Sequence, residues 1–485
     1  MDALSLPSSR VRWLVAGSFC RPPSGQRFLL TEDSLAGQLG RAAHGLRIPV
    51  PDRIGSSDTN SYEVSFDGLH SFQLSALIDS IPSLRALRTA QATLARTGSL
   101  NPEDAAHLQS SLSSGPLPAA MAEAARGARS PQEARLAVLG VLEEALFATA
   151  RDILLHPWVA GPESLWRGLH WLQEHCPAAS GIDIEVLDVE PSSLVATLTQ
   201  YLEVPPLQRP EACFILDAFE DLESLHALAA LGEQASLPVV VSMPLALLGE
   251  GLSAATEQEA RARQAWNQLR SEESSRWLCA SLNPVVMLDE QQGAIRRQCF
   301  TSPSLAVAAL LSASFRDTRT FGRLTGPGSG TQAPAVWKPL SGSTVATEVG
   351  LSLREQQRLA AQGLLAVSGW WDSPAVMLAA APTVYRGRDA TTLPAQLLTG
   401  RLLRFAQELV ERLPPAASSD TIAAAFSRAA EHFLPAASPR DCQLHAQLVS
   451  LGNRQRGVQV RASVRPELAG THLQLAFTLP LPPVR

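Results

Sequence analysis

Ile182-Asp-Ile-Glu-Val-Leu-Asp-Val189, Cys213-Phe-Ile-Leu216, Pro238-Val-Val-Val-Ser242 and Pro284-Val-Val-Met-Leu288 are four short, apolar runs rich in strand-forming residues. Helical patterns separate them at Ser192–Leu202, Asp221–Gln234 and Glu257–Arg276. A strand that is apolar along nearly its whole length is covered on both faces, and strands that alternate with helices can run parallel. The reading is therefore an α/β chain with a mixed, partly parallel sheet flanked by helices.

N-terminal to these runs, Val11–Ala16 and Phe28–Leu30 read as strands, and Tyr62-Glu-Val-Ser-Phe66 alternates like a half-buried one. A helical pattern follows through Leu77, Ile78, Ile81, Leu84 and Leu87. The stretch 98–130 is rich in Ser, Gly, Ala and Pro and reads as a linker. Beyond it, Leu136, Leu139, Leu142, Leu146, Ala150 and Ile153 recur at helical spacing until Pro157, and a second helix is expected to begin near Pro162. Further helices are expected at Leu353–Gln362, Ala395–Arg412 and Thr421–Phe433. The end of the chain changes period. Val458, Val460, Ala462 and Val464 alternate with polar residues, and Leu473, Leu475, Phe477 and Leu479 repeat the pattern after a turn, so a C-terminal β-hairpin is expected. An isolated hairpin is marginal in water, so this one must pack on its own domain or pair with strands from elsewhere. The expected division is 1–97 and 131–455 as two α/β parts, with 98–130 between them and 456–485 as the hairpin.

With 485 residues the chain exceeds what a single core usually supports. Its 45% apolar and 18% charged residues suit a globular protein with some surface covered by partners. A net charge of −6, without a run of basic residues interleaved with aromatics, argues against nucleic acid as a partner. No apolar stretch is long enough to span a bilayer, and Met1–Val15 has no signal-peptide core, so the expected location is cytoplasmic and no membrane insertion is expected. Cys20, Cys176, Cys213, Cys279, Cys299 and Cys442 lack metal-ligand or disulfide-framework spacing.

Catalytic motifs are missing. There is no phosphate-binding loop, dinucleotide fingerprint, nucleophile elbow or HExxH, and Gly326-Pro-Gly-Ser-Gly330 reads as a loop. Asp217 and Glu220 follow a buried run where α/β enzymes present carboxylates, but capping of the next helix is the preferred reading. His156, His170 and His175 lack the spacing of a metal pair, and Trp158, Trp166 and Trp171 read as core or, preferably, interface anchors. Trp370-Trp371 admits either reading. No catalytic residue, cofactor or metal is expected.

The segment His156-Pro-Trp … Glu163-Ser-Leu-Trp-Arg-Gly-Leu-His170 resembles the signature of the large contractile-sheath subunit of type VI secretion (TssC/VipB). Trp266-Asn-Gln-Leu-Arg270 before Leu282-Asn-Pro284, Thr347-Glu-Val349 and Gln362-Gly-Leu-Leu365 are similar to later segments of that family, in the same order. Leu14–Phe19, Phe66-Asp-Gly-Leu-His-Ser-Phe72 and Ile81-Pro-Ser-Leu-Arg-Ala-Leu87 resemble the small subunit (TssB/VipA). The chain departs from the family where Leu282-Asn-Pro stands for a Leu-Pro-Arg strand end, and where His70-Ser-Phe72 stands for Asp-Phe.

The resemblance implies a sheath-subunit fold and a natural fusion of the two subunits. It also implies self-association into a helical tube around an Hcp-like inner tube, attachment to baseplate proteins, and contraction. In the family a ClpV-type AAA+ unfoldase binds near the large subunit's free N-terminus; here that terminus would be joined to the first part. Trp166, Arg167, Gly168 and Leu169 are expected to form a core or intersubunit signature. Strand exchange between neighbours is assigned to Val11–Ala16, with Val11 and Leu14, and to the hairpin, with Val458, Val460, Val464, Leu473, Leu475 and Phe477. A non-polymerising sheath-like accessory or cap and an α/β enzyme of unknown reaction remain as alternatives.

Overall fold

The computed structural model describes residues 10–20, 22–55, 58–97, 116–219, 221–244, 257–326, 328–339, 342–414, 416–433, 442–452 and 455–481. In chain order the first half holds β1 (Val11–Gly17), β2 (Arg27–Leu29), α1 (Glu32–Ala42), β3 (Leu46–Pro51) and β4 (Thr59–Val64). Helices α2 (Leu74–Ser80), α3 (Pro82–Thr97), α4 (Pro116–Arg126), α5 (Pro131–Leu155) and α6 (Pro157–His175) follow. The alternating middle comprises β5 (Ile182–Asp188), α7 (Leu194–Tyr201), β6 (Ala212–Ala218), α8 (Leu222–Ala235), β7 (Val239–Ser242), α9 (Glu257–Leu269) and β8 (Leu278–Leu282). After it come β9 (Val285–Gln292), β10 (Ile295–Thr301), α10 (Pro303–Thr318), β11 (Thr331–Gln332), α11 (Leu353–Ala361), β12 (Leu364–Gly369) and β13 (Ala375–Leu378). The C-terminal elements are α12 (Leu393–Arg412), α13 (Ser419–Phe433), β14 (Cys442–Gly452), β15 (Gln455–Val464), α14 (Pro466–Ala469) and β16 (Leu473–Pro480).

A nine-stranded sheet in the order β11-β13-β12-β8-β7-β6-β1-β5-β2 forms the body. Its six inner strands, β12 to β5, are parallel, and the outer strands pair antiparallel. The alternation of β1 shows why both faces need helices: Val11, Trp13 and Val15 enter one core with α6 and α10, while Leu14 and Ala16 enter the opposite core with α7, α8 and α9.

The expected boundary does not separate two cores. β1 lies between β5 and β6, and one continuous core takes in Ile48, Phe72 and Leu84 together with Leu142, Trp166 and Leu310. The physical reason is the sheet itself, in which β5 and β6 have β1 as their only common neighbour. Of the expected linker, 98–115 lies outside the described residues, and 116–126 is helix α4 packed on α5.

One strand assignment and one helix start also change. The parallel strand expected at Pro284–Leu288 is β8, and the chain leaves the sheet at Asn283, which adopts φ 76°, to form the β9–β10 hairpin. Asn283 secures this exit by donating to Val349 O and Val367 O and accepting from Val349 N. The α6 helix starts at Pro157 rather than Pro162, because proline is accommodated in the first turn, and Pro162 lies inside it.

The expected C-terminal hairpin is two strands of three: the order is β14-β15-β16. Phe405, Leu409 and Val410 of α12 and Ile422 and Phe426 of α13 cover one face of this sheet, against Ala446, Val458 and Val460. The other face presents polar residues, including Gln459 and Arg461. The N-terminal half of α12 packs on the body through Leu393 and Leu397, and α14 adds a second contact where Thr320 Oγ1 donates to Glu467 O, so the two helices carry the small sheet on the large one. Its buried Arg404 donates to Pro210 O and pairs with Glu211 at the start of β6.

Candidate functional site

At the C-terminal ends of β1, β5 and β6, where doubly wound sheets hold ligands, the carboxylates are occupied by the chain's own backbone. Asp188 accepts hydrogen bonds from Phe19 N (2.8 Å), Cys20 N (3.1 Å), Ser24 N (2.6 Å) and Ser24 Oγ (2.7 Å). Asp217 accepts from Ser18 N (3.0 Å) and Ser18 Oγ (3.2 Å). The expected capping role belongs instead to Asp221, which accepts from Ser224 N, because it immediately precedes α8; Glu220 lies outside the described residues. Burial, reinforced by Asp188, pushes the Cys20 thiol up to about 12, away from the range of a reactive thiolate.

The histidines are likewise separate. His156 caps α6 by accepting from Trp158 N, His170 lies 3.6 Å from Glu174, and His175 binds Trp171 O. Among the described residues no cluster of three metal-binding side chains occurs.

The segment Glu163–Leu169 forms a buried junction. On α6, Glu163 and Arg167 are one turn apart, and Glu163 Oε1 accepts from Arg167 Nε at 2.7 Å. Glu163 Oε2 accepts from Arg297 Nη1 of β10 at 2.6 Å, and Arg297 Nη2 donates to Phe72 O (2.6 Å) and Glu290 Oε2 (3.3 Å). Glu290 Oε1 accepts from Leu74 N, and Arg167 Nη2 donates to Leu69 O. Glu163 and Arg297 are each only 1% exposed at the side chain, so the charges survive burial through these mutual bonds. Burial, with the Glu163 charge nearby, pushes the Cys299 thiol up to about 12.

Trp166 Nε1 donates to Phe19 O at 3.1 Å while its ring meets Phe19 and Phe28. Gly168 lets α6 approach Thr301 and Leu305, which a Cβ would strike, and Leu169 is fully buried. The four expected signature residues thus share one core site that ties the 19–74 segment to α6 and the β9–β10 hairpin. Trp166 and Trp171 are core residues rather than interface anchors, because both rings are buried and both indole N–H groups find carbonyl partners within the chain; Trp158 is exposed. Trp370 and Trp371 are exposed as well.

The residues expected to exchange strands have different surroundings. Val11 and Leu14 are fully buried in β1, which pairs with β5 along its length and with β6 over Trp13–Ala16, so this strand is not an edge of the sheet. Val458, Val460 and Val464 belong to β15, the middle strand of its sheet, and also lack a free edge. Leu473, Leu475 and Phe477 lie on β16, whose outer edge has no partner strand among the described residues. The opposite edge is β14, missed in the sequence although Cys442, Leu444, Ala446 and Leu448 alternate with Gln443, His445, Gln447 and Val449.

No protein-family model matches the chain, and no curated protein matches its sequence. Solved structures with partial likeness include the anti-feeding prophage helical sheath in its contracted state, with 9% identity, 62% of this chain and 76% of that chain covered, and a TM-score of 0.35. The PVC sheath complex of an extracellular contractile injection system, also contracted, has 11% identity, coverage of 66% and 77%, and a TM-score of 0.38. The sheath tail protein Lin1278 from Listeria innocua has 11% identity, coverage of 59% and 60%, and a TM-score of 0.36.

Proposed function

We propose that this chain is a structural subunit of a contractile sheath of the type VI secretion kind, carrying small- and large-subunit parts in one chain, with no enzymatic role. The observation that carries the reading is the C-terminal sheet: it is seated on the body through α12 and through α14, whose Glu467 O accepts from Thr320 Oγ1, and its two outer strands have unpartnered edges among the described residues. Strand addition at such an edge links copies through backbone hydrogen bonds while letting each body move rigidly, as contraction requires. Support for the fused character comes from the shared core, since residues of both resembling parts meet at Glu163 and Trp166. In this role the subunit polymerises around an Hcp-like inner tube on a baseplate. The satisfied carboxylates at the strand ends speak against an α/β enzyme at the usual position.

Negative-stain electron microscopy and size-exclusion chromatography of the full chain test this reading, with the inner tube and baseplate added if the chain alone is monomeric. Hollow tubes are expected. Deleting Gly470–Arg485, which removes β16, should leave a folded subunit that forms none. Tubes that survive the deletion would refute the linking role, and a full chain that stays monomeric with every partner present would refute the sheath.

A further inference from the structure

The far edge of the nine-stranded sheet is closed by β11, only two residues long, which pairs Thr331 with Val376 and Gln332 with Ala375. So short a strand has little intrinsic hold. Ala333 N, just after it, donates to Pro374 O, and the last turns of α6 add two side-chain contacts: Trp171 Nε1 donates to Gln332 O at 2.9 Å, and His175 Nε2 contacts Thr331 Oγ1. The other imidazole nitrogen, Nδ1, lies 2.8 Å from Trp171 O. A carbonyl only accepts, so Nδ1 carries the proton of the neutral ring and Nε2 accepts from the Thr331 hydroxyl.

A second proton reverses this arrangement. Nε2 becomes a donor facing a hydroxyl that was donating, and the ring acquires charge in a half-buried site, edge-on to the Trp171 indole. The charged groups that face it are Glu174 on its own helix and Arg316 and Asp317 on α10; β11 and β13 bring none. Burial, with Arg316 adding to it, holds His175 below the ordinary histidine range, against the opposing pull of the Trp171 carbonyl, Glu174 and Asp317.

We propose that His175 is an acid-released clamp on β11: the neutral ring fastens Thr331–Gln332 to the sheet, and protonation frees that strand and uncovers the edge of β13. The ring is harder to protonate clamped than open, so the clamp is strongest above about pH 6.5 and weakens as pH falls below it. The uncovered edge is that of Ala375 and Val376, the latter fully buried when β11 is in place.

Hydrogen–deuterium exchange of the full chain at pH 7.5 and pH 5, corrected for intrinsic rates, tests the clamp. Exchange at Thr331–Ala333 and Val376–Leu378 should accelerate several-fold at pH 5, with a ceiling of about thirtyfold for one proton taken up at an ordinary pKa near 6.5. His175→Gln should remove that acceleration. Unchanged protection in the native chain, or equal acceleration in His175→Gln, would overturn the proposal. Should that variant not fold, exchange at the His175 ring carbon gives its pKa directly in the native chain; a value at or above about 6.5 would equally overturn it.

Discussion

The body and the C-terminal sheet treat their polar groups and edges in opposite ways. In the body the first strand, β1, sits inside the sheet between β6 and β5, the buried carboxylates Asp188 and Glu163 are each met by more than one donor, and the two edge strands are only two and three residues long. In the C-terminal sheet the edge strands run to 11 and 8 residues, carry no Lys, Arg, Asp or Glu, and have one uncovered face. Natural proteins blunt long edges with charge, proline or covering elements. An uncharged long edge is therefore a place where pairing is expected, and a body with its polar groups satisfied is suited to move as a unit.

The sharpest way to break this comparison is to attack the junction in the body. Glu163→Ala strands Arg297 and Arg167 without their shared carboxylate in the core, and should cost about 3–5 kcal/mol. Trp166→Ala empties an enclosed site and removes the bond to Phe19 O, with a loss of about the same size. Denaturant unfolding measures both. Losses below about 1 kcal/mol would mean that the 19–74 segment is held elsewhere and that the body is less unified than its core implies.

A smaller change tests the closeness of α6 to its neighbours. Gly168→Ala should gain about 1 kcal/mol of helix propensity but drive a methyl group into Thr301 and Leu305, an overpacking cost of about 1–3 kcal/mol. The expected net loss is about 0–2 kcal/mol. A clear rise in melting temperature would show that α6 stands further from β10 than the geometry here places it.

The same contrast shows what was legible in the sequence. The parallel α/β body was readable because β6 and β7 are apolar on both faces, and β15 and β16 were readable from strict alternation. The place of β1 was not, since Val11 pairs with Ile182, far along the chain, and a residue pattern reports faces but not neighbours. β8 was passed over for the more strongly apolar Pro284–Leu288, because its small Ala280 and Ser281 dilute the signal, and nothing before Asn283 marks the exit from the sheet. Glu163 and Arg167 have the one-turn spacing of an ordinary surface pair; only the approach of Arg297 from β10 makes them part of the core. β14, by contrast, had a readable alternation that was overlooked.

The smallest expected effect on stability bears most directly on assembly. Ala476 and Thr478 lie on the exposed face of β16, where lysine meets water and leaves the apolar face of Leu475 and Phe477 untouched. The double variant Ala476→Lys/Thr478→Lys should change unfolding free energy by no more than about 0.5 kcal/mol. Charge on an edge strand opposes pairing with another strand, so the same variant should lose tube formation in electron microscopy while eluting as a folded subunit. Loss of tubes without loss of stability would assign assembly to the open sheet and folding to the closed body. Tubes that form normally would instead place the contacts between subunits away from β16 and require the edges of the small sheet to serve another purpose.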